Sequence, residues 1–140
     1  MFFTTTHLNH PYHVVWGQYE FLHIEDGYRV KKLTFKKPIG STSFHHHVNR
    51  EGFFTVVEGK GKVVIVNDEK IIVPGDTFSV PKGIGYAIYG EEGLKIIEVQ
   101  RGECDELDTY RHRDQYGRTL GYLKDRAEYE INKKKKTNPT

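Results

Sequence analysis

Residues 43–47 read Ser-Phe-His-His-His and form the densest group of side chains in the sequence that could do chemistry. In a β-strand alternate side chains share a face, so His45 and His47 would lie on one side and His46 on the other. Two imidazoles on one inward face can hold a divalent metal ion, or pass a proton to and from a bound substrate. The alternative is a surface histidine cluster on an edge strand, and the spacing alone does not separate the two.

Short apolar runs separated by turn residues make up most of the chain around these histidines. Turns are indicated by PGD at 74–76, by PKG at 81–83 and by a tight hairpin at 67–68. Short strands with closely spaced turns are typical of a β-sandwich or barrel, so the sequence predicts an all-β fold. We predict strands over residues 28–35, 42–47, 52–57, 62–66, 70–73, 77–80, 86–89 and 94–100, and a short helix within 116–132.

Length and composition fit one folded domain, since the 140 residues are 36% hydrophobic and 29% charged. No apolar run is long enough to span a bilayer, and the first residues lack the pattern of a signal peptide. Cys104 is the single cysteine, so no internal disulfide can form. We therefore expect a cytoplasmic protein with no membrane partner.

The net charge of +2 arises from the end of the chain. Residues 133–140 contain four lysines and no acid, and removing these four from the 21 basic residues leaves 17 against 19 acidic ones. Such a lysine run is typical of a solvated tail, so we expect no nucleic-acid partner. We assign residues 1–125 to one domain with an N-terminal extension, and residues 126–140 to a partly disordered tail.

The histidine pair opens a longer pattern of motif residues. His45-x-His47 is followed by Gly52 and Gly59, and later by PKG at 81–83 and Tyr86. This layout resembles the two motifs of the cupin superfamily, in which a histidine pair, a glutamate and a later histidine bind a metal ion at the mouth of a barrel. The resemblance implies a single cupin barrel, an all-β double-stranded β-helix of the jelly-roll type.

Three further stretches resemble one subfamily more specifically. They are WGQYE at 16–20, IEVQRG at 97–102 and RHRDQYGR at 111–118. They are similar to signature stretches of type II mannose-6-phosphate isomerases, whose C-terminal isomerase domain is often fused to a mannose-1-phosphate guanylyltransferase. The likeness covers residues 14–118, and the IEVQ and RxxDxYGR patterns are its most specific parts.

The metal motif departs from this family at half of its positions. His45 stands where the family usually has a glutamine, and His47 matches the second ligand. Gly52 replaces the glutamate and Tyr86 the second histidine, while Glu51 should face away from the histidines on strand alternation unless a bulge turns it inward. A metal ion needs three or four well-placed ligands. We therefore expect no tightly bound cofactor, with a weakly held zinc, manganese or iron ion at His45 and His47 as the alternative.

The resemblance also implies candidate residues for catalysis and substrate binding. His45, His47 and Tyr86 are the candidate catalytic residues, although Tyr86 could instead cap the barrel mouth. Guanidinium groups match phosphate oxygens, so arginines of the motifs are candidates for holding a sugar phosphate, with surface salt bridges as the alternative. The substrate-binding candidates are Arg50, Arg111, Arg118 and Lys82, the last of which could equally be a solvated turn residue.

Two functions remain open from the sequence. The first is aldose–ketose isomerisation of a sugar phosphate or nucleotide sugar, of the mannose-6-phosphate isomerase type or a related metal-independent kind. The second is a non-catalytic carbohydrate-binding or regulatory cupin, because loss of metal ligands is what decay of metal catalysis would leave. We favour the enzyme, and we expect a homodimer.

Overall fold

Thirteen β-strands are the regular elements of the part of the chain that the structure, a computed structural model, describes, namely residues 8–105 and 107–123. The all-β prediction is therefore confirmed. The strands are β1 (Tyr12–Val14), β2 (Gly17–Glu25), β3 (Tyr28–Phe35), β4 (Gly40–Ser41), β5 (Phe44–His46), β6 (Arg50–Glu58), β7 (Gly61–Ile65), β8 (Asp68–Ile72), β9 (Thr77–Val80), β10 (Tyr86–Gly90), β11 (Lys95–Gly102), β12 (Tyr110–Arg113) and β13 (Gly121–Tyr122).

Two antiparallel sheets form the walls of the barrel. One sheet has the order β1-β2-β3-β11-β6-β9, and the other has the order β13-β12-β5-β10-β7-β8, with β4 also paired to β10. Because β5 lies between β12 and β10, three chain segments that are far apart in sequence meet beside the histidines.

The eight predicted strands are all present, with small changes at their ends. Within the range 42–47 only Phe44–His46 forms a strand, β5, and β4 lies just before that range. The hairpin turn between β7 and β8 lies one residue earlier than predicted, because Ile65 pairs with Asp68 and Val66 takes a positive φ of 55°. Five strands were not predicted: β1, β2, β4, β12 and β13. β13 lies within the segment 116–132, but the part of that segment beyond residue 123 lies outside the described residues, so the short helix stays a prediction.

The inward faces of β3 and β11 change from apolar to polar along their length. At one end Leu33 and Phe35 pack with Ile96 in the hydrophobic core. Burial of each such side chain contributes about 1.5–3 kcal/mol to folding. At the other end the buried residues of the same two strands are polar or charged: Arg29, Lys31, Glu98 and Gln100. The barrel therefore has an apolar half that stabilises it and a polar half that can hold a site.

Several predictions concern residues outside the described part of the chain. The domain boundary at 125 and the tail over 126–140 both lie there, so they stay predictions. None of the described residues forms a helix long and apolar enough to cross a membrane.

Candidate functional site

His45 and His47 lie on the inner side of the barrel, one in β5 and one directly after it. Both side chains are buried, whereas His46 between them lies on the outer face and makes a 2.8 Å hydrogen bond to His112. The strand alternation expected from the sequence is thus present. In the pairing of β5 with β10, His45 is opposite Tyr86, and their ring centroids are 4.6 Å apart.

Backbone carbonyl groups fix the tautomers of both histidines. The Nδ1 of His45 lies 2.6 Å from the carbonyl oxygen of Ser43, and the Nδ1 of His47 lies 2.7 Å from that of Asp108. A carbonyl oxygen only accepts, so each Nδ1 carries the proton and each Nε2 carries a lone pair. The Nε2 of His47 then accepts from Nη2 of Arg50 at 3.3 Å and from the hydroxyl of Tyr86 at 3.4 Å.

A cavity of about 250 Å³ lies against these side chains inside the barrel. His45, His47 and Tyr86 line it together with Trp16, which is the only tryptophan of the sequence. The charged residues that line it in the described part of the chain are four cations and one carboxylate: Lys31, Arg50, Arg111, Arg118 and Glu98. This excess of positive charge favours an anionic ligand.

The RxxDxYGR stretch contributes both a cavity wall and the residues that support it. Arg111 and Arg118 line the cavity. Asp114 holds Arg118 through a bidentate pair, with Nε to Oδ2 at 2.9 Å and Nη2 to Oδ1 at 3.0 Å. Burial would raise the pKa of Asp114, but the hydrogen bonds and charge of Arg118 keep it below its usual value. Tyr116 accepts a hydrogen bond from the backbone of Ser41 at 3.2 Å, so the stretch is anchored across the barrel.

A buried row of polar side chains lies along the inner faces of β3 and β11. Arg29 donates to Oε1 of Gln100 from Nε at 3.1 Å and from Nη2 at 2.8 Å. Nε2 of Gln100 donates to Oε2 of Glu98 at 3.2 Å. Glu98 lines the cavity and pairs in register with Lys31. Glu98 belongs to the IEVQ stretch, but the sequence alone indicated no role for it.

Lys82 lies apart from the other candidate residues. It borders a second and larger cavity of about 580 Å³, together with Arg29, Asn49 and Cys104, and it does not line the histidine cavity. The larger cavity carries none of the histidines, so we place the candidate site at the smaller one. The structure brings together His45, His47, Tyr86, Arg50, Arg111 and Arg118, whose roles stay predictions.

Comparison with known families decides the membership of the chain. The model of the family described as mannose-6-phosphate isomerase C-terminal matches residues 4–114. The chain belongs to this family. Relatives include a mannose-1-phosphate guanylyltransferase of Escherichia coli K12, 36% identical over 107 residues, and ManC of Salmonella typhimurium LT2, 31% identical over 116 residues. These matches cover 74% and 80% of this chain but only 22% and 24% of the relatives, so the chain spans less than a quarter of their length.

Solved structures confirm the cupin fold expected for a member of this family. An RmlC-like cupin of Shewanella frigidimarina superposes with a TM-score of 0.63 at 19% identity, over 76% of this chain and 95% of that one. Streptomyces PAC13 with uridine superposes with a TM-score of 0.66 at 11% identity, over 87% and 93% of the two chains. At these identities the likeness shows the fold alone.

The side chains at the cupin ligand positions do not fit a resident metal ion. His45 and His47 offer two imidazole nitrogens, Gly52 has no side chain, and Tyr86 offers a phenol. Among the described residues no group of three or more His, Cys, Asp and Glu side chains is close enough to share an ion. Zinc sites in proteins use three or four protein ligands. The lack of a tightly bound metal stays a prediction, and the described part of the chain offers no donor set suited to one.

Elemental analysis of protein prepared without a histidine tag tests that prediction. We expect far less than one equivalent of zinc, manganese or iron, because two neutral imidazoles beside cationic side chains hold an ion weakly. The matched variants are His47→Ala in the cavity and His46→Ala on the outer face. Stoichiometric metal that is lost in His47→Ala and kept in His46→Ala would contradict us.

Burial of His45 gives this site an acid-sensitive component of stability. Desolvation lowers the pKa of His45 from 6.5 to about 3, and the charges of Arg50, Arg111 and Lys31 add to the effect against an opposing hydrogen bond to Ser43. The unfolded chain therefore binds this proton at a higher pH than the folded one. Stability is complete above pH 6.5 and is lost as the pH falls from there toward 3.

Denaturant unfolding at several pH values measures this component. Between about pH 6 and pH 4 the His45 contribution to the free energy of unfolding should fall by the order of 1 kcal/mol per pH unit. His45→Gln should flatten that slope, because glutamine does not titrate. Nitrogen NMR should show the wild-type ring neutral at about pH 5, and a titration of His45 near 6.5 would refute the assignment.

Proposed function

We propose that the cavity binds a phosphorylated or nucleotide-linked sugar and interconverts its aldose and ketose forms without a resident metal ion. The observation that supports this most is the lining of the cavity, where cationic side chains lie together with the hydrogen-bonded pair of His47 and Tyr86. Family membership points in the same direction, since its description is that of mannose-6-phosphate isomerases. Mannose 6-phosphate is therefore the first substrate to test.

The cationic side chains would bind the phosphate group. Arg50 and Arg111 have planar guanidinium groups that can donate two parallel hydrogen bonds to phosphate oxygens. Both line the cavity, and their charges add to the effect of burial in lowering the pKa of His45. A bound dianion would offset this concentrated charge, so affinity should fall as salt increases.

After binding, the reaction itself is a proton transfer next to a carbonyl group. Isomerisation removes a proton from the carbon beside the carbonyl and returns it to the former carbonyl carbon through an enediol-like intermediate. Arg50 and the hydroxyl of Tyr86 donate toward one point, the Nε2 of His47. Donors that converge on this side of the cavity can also stabilise an oxyanion that develops beside His47. His45, with its low pKa, acts as a hydrogen-bond acceptor for a sugar hydroxyl group.

A non-catalytic carbohydrate-binding or regulatory role is the second candidate. The observation in its favour is that two of the four ligand positions carry Gly52 and Tyr86. Such a protein would bind the same sugars without turnover, so binding measured beside activity separates the two functions.

We also propose that the protein is cytoplasmic, in keeping with its single cysteine. We propose further that it forms a homodimer and has no nucleic-acid partner.

Binding is tested with Arg111→Ala and Arg113→Ala as a matched pair. Arg111 lines the cavity, whereas Arg113 packs on the outer face, 4.6 Å from the ring centre of Phe44. Loss of a charge-assisted contact costs about 1.5–3 kcal/mol, so Arg111→Ala should bind mannose 6-phosphate about 10 to 100 times more weakly. Fluorescence of Trp16 reports occupancy directly. Equal affinities in the two variants would place the sugar elsewhere.

Turnover is tested with His47→Ala and His46→Ala in a coupled assay from mannose 6-phosphate to fructose 6-phosphate. His46 and His47 lie on opposite faces of the chain. Comparing the two variants therefore separates the loss of a cavity side chain from the general effect of losing an imidazole. We expect His46→Ala to stay active and His47→Ala to lose at least about 100-fold in kcat. Activity that survives His47→Ala unchanged would show that the chosen site is wrong, and binding without turnover would favour the non-catalytic role.

A further inference from the structure

We propose that Glu98 is the acid–base residue of this site and that Gln100 and Arg29 are positioning residues that hold its carboxylate. The inference rests on the proposed isomerisation. In this proposal a carboxylate on β11 removes and returns the proton bound to the substrate carbon. The motif histidines do not lie on this strand.

The position of Glu98 in the barrel is the first support. Its side chain is 4% exposed and lines the cavity that His45 and His47 also line. Among the described residues that line this cavity, Glu98 is the only carboxylate. A buried carboxylate is costly to keep unless its surroundings compensate it, and here Lys31 is opposite in the strand register.

The space at position 52 is the second support. A Cβ atom added to Gly52 would lie 2.7 Å from Cε2 of Phe54 and 3.3 Å from Oε2 of Glu98. Phe54 and Glu98 therefore already fill the space that a side chain at 52 would enter. The carboxylate that the motif pattern places at 52 is absent, and a carboxylate from the adjacent strand lies beside that position instead.

The hydrogen bonds that hold Glu98 are the third support. Arg29 can only donate, so its two bonds fix the carbonyl oxygen of the Gln100 side chain and leave Nε2 to face Glu98. Gln100 is fully buried and Arg29 packs 4.8 Å from the ring centre of Phe21. The row is buried and hydrogen-bonded from Arg29 to Glu98, and a catalytic carboxylate needs such support from its neighbours.

The two histidines are less suited to removing the proton. The Nδ1 atoms of both are engaged by backbone carbonyl groups, and the Nε2 of His47 already accepts from Arg50 and Tyr86. His45 is a weak base because burial lowers its pKa to about 3. A general base works best with a pKa closer to the working pH, so His45 is poorly suited to this step.

The proposed step balances within the substrate and the protein. The carboxylate of Glu98 takes the proton from C2 of the aldose, the C–H electron pair forms the C1–C2 double bond, and the carbonyl π pair moves to O1. Arg50 and Tyr86 stabilise the resulting oxyanion. The hydroxyl proton then moves from O2 to O1 through the Tyr86 and His47 pair, C2 becomes the carbonyl carbon, and Glu98 returns its proton to C1. No external oxidant or reductant takes part.

Exchange of the C2 proton of mannose 6-phosphate in deuterated water tests this step. The variants are Glu98→Gln, which removes the base, and Glu51→Gln as a control on the outer face, where Glu51 pairs with Arg101. Glu98→Gln should bind the sugar phosphate at least as well as wild type, since it removes a negative charge, and should lose at least about 100-fold in exchange rate. Glu51→Gln should match wild type in both.

Two further measurements separate a chemical role from a structural one. In Glu98→Ala, added formate should restore part of the exchange, because a small carboxylate can enter the vacated space. Gln100→Glu keeps an acceptor for Arg29 but replaces the donor to Glu98 with a negative charge. It should therefore move the acid limb of the pH–kcat profile to higher pH while leaving affinity within a few-fold of wild type.

The outcomes distinguish the acid–base role of Glu98 from the isomerase function on which it rests. Exchange in wild type together with a wild-type rate in Glu98→Gln overturns the role of Glu98 and leaves the proposed function in place. If Glu98→Gln does not fold, two other results would overturn the role of Glu98. They are the absence of formate rescue in a folded Glu98→Ala and an unchanged pH profile in Gln100→Glu. Binding by wild type without any exchange overturns the isomerase itself, and the acid–base role with it.

Discussion

The antiparallel register between β3 and β11 is the constraint on which the site depends. It places Lys31 opposite Glu98 and Arg29 opposite Gln100, with all four side chains inside the barrel. Because side chains alternate along a strand, a shift of one residue would move the whole set to the outer surface. The same register buries Leu33 and Phe35 against Ile96, so the apolar contacts that stabilise the barrel also fix the polar residues of the cavity.

The polar half of the barrel is rich in charge, and this has consequences for its chemistry. Burial lowers the pKa of His45, and the charges of Arg50, Arg111 and Lys31 lower it further. An anionic ligand would compensate these charges. Gly52 and Tyr86 at two of the motif's ligand positions and the several cations around the cavity are therefore both consistent with the proposed binding of a phosphorylated sugar, because electrostatic binding of a phosphate does not require a metal.

The sequence allowed much of this to be predicted, and the exceptions have identifiable causes. Turn residues and apolar runs predicted the eight central strands, while β12 and β13 were missed because charged residues and glycine dominate their short segments. Arg50, Arg111 and Arg118 line the cavity as motif matching suggested. Lys82 borders a different cavity, although its turn adjoins the histidines through the backbone N–H of Gly83, which donates to the carbonyl oxygen of His47 at 2.7 Å. Glu51 faces outward toward Arg101, as strand alternation required.

By itself the sequence determined the family, the all-β fold, the shared face of His45 and His47, and the gaps in the metal motif at Gly52 and Tyr86, because each of these depends on residue type and local spacing. Only the tertiary structure decided which face of β11 points inward. In the stretch Ile97-Glu98-Val99-Gln100 the apolar residues would be expected inside, yet Glu98 and Gln100 are the buried ones. The reason is that burial of a polar side chain requires partners from other strands, and those partners, Arg29 and Lys31, are known only once β3 and β11 are paired.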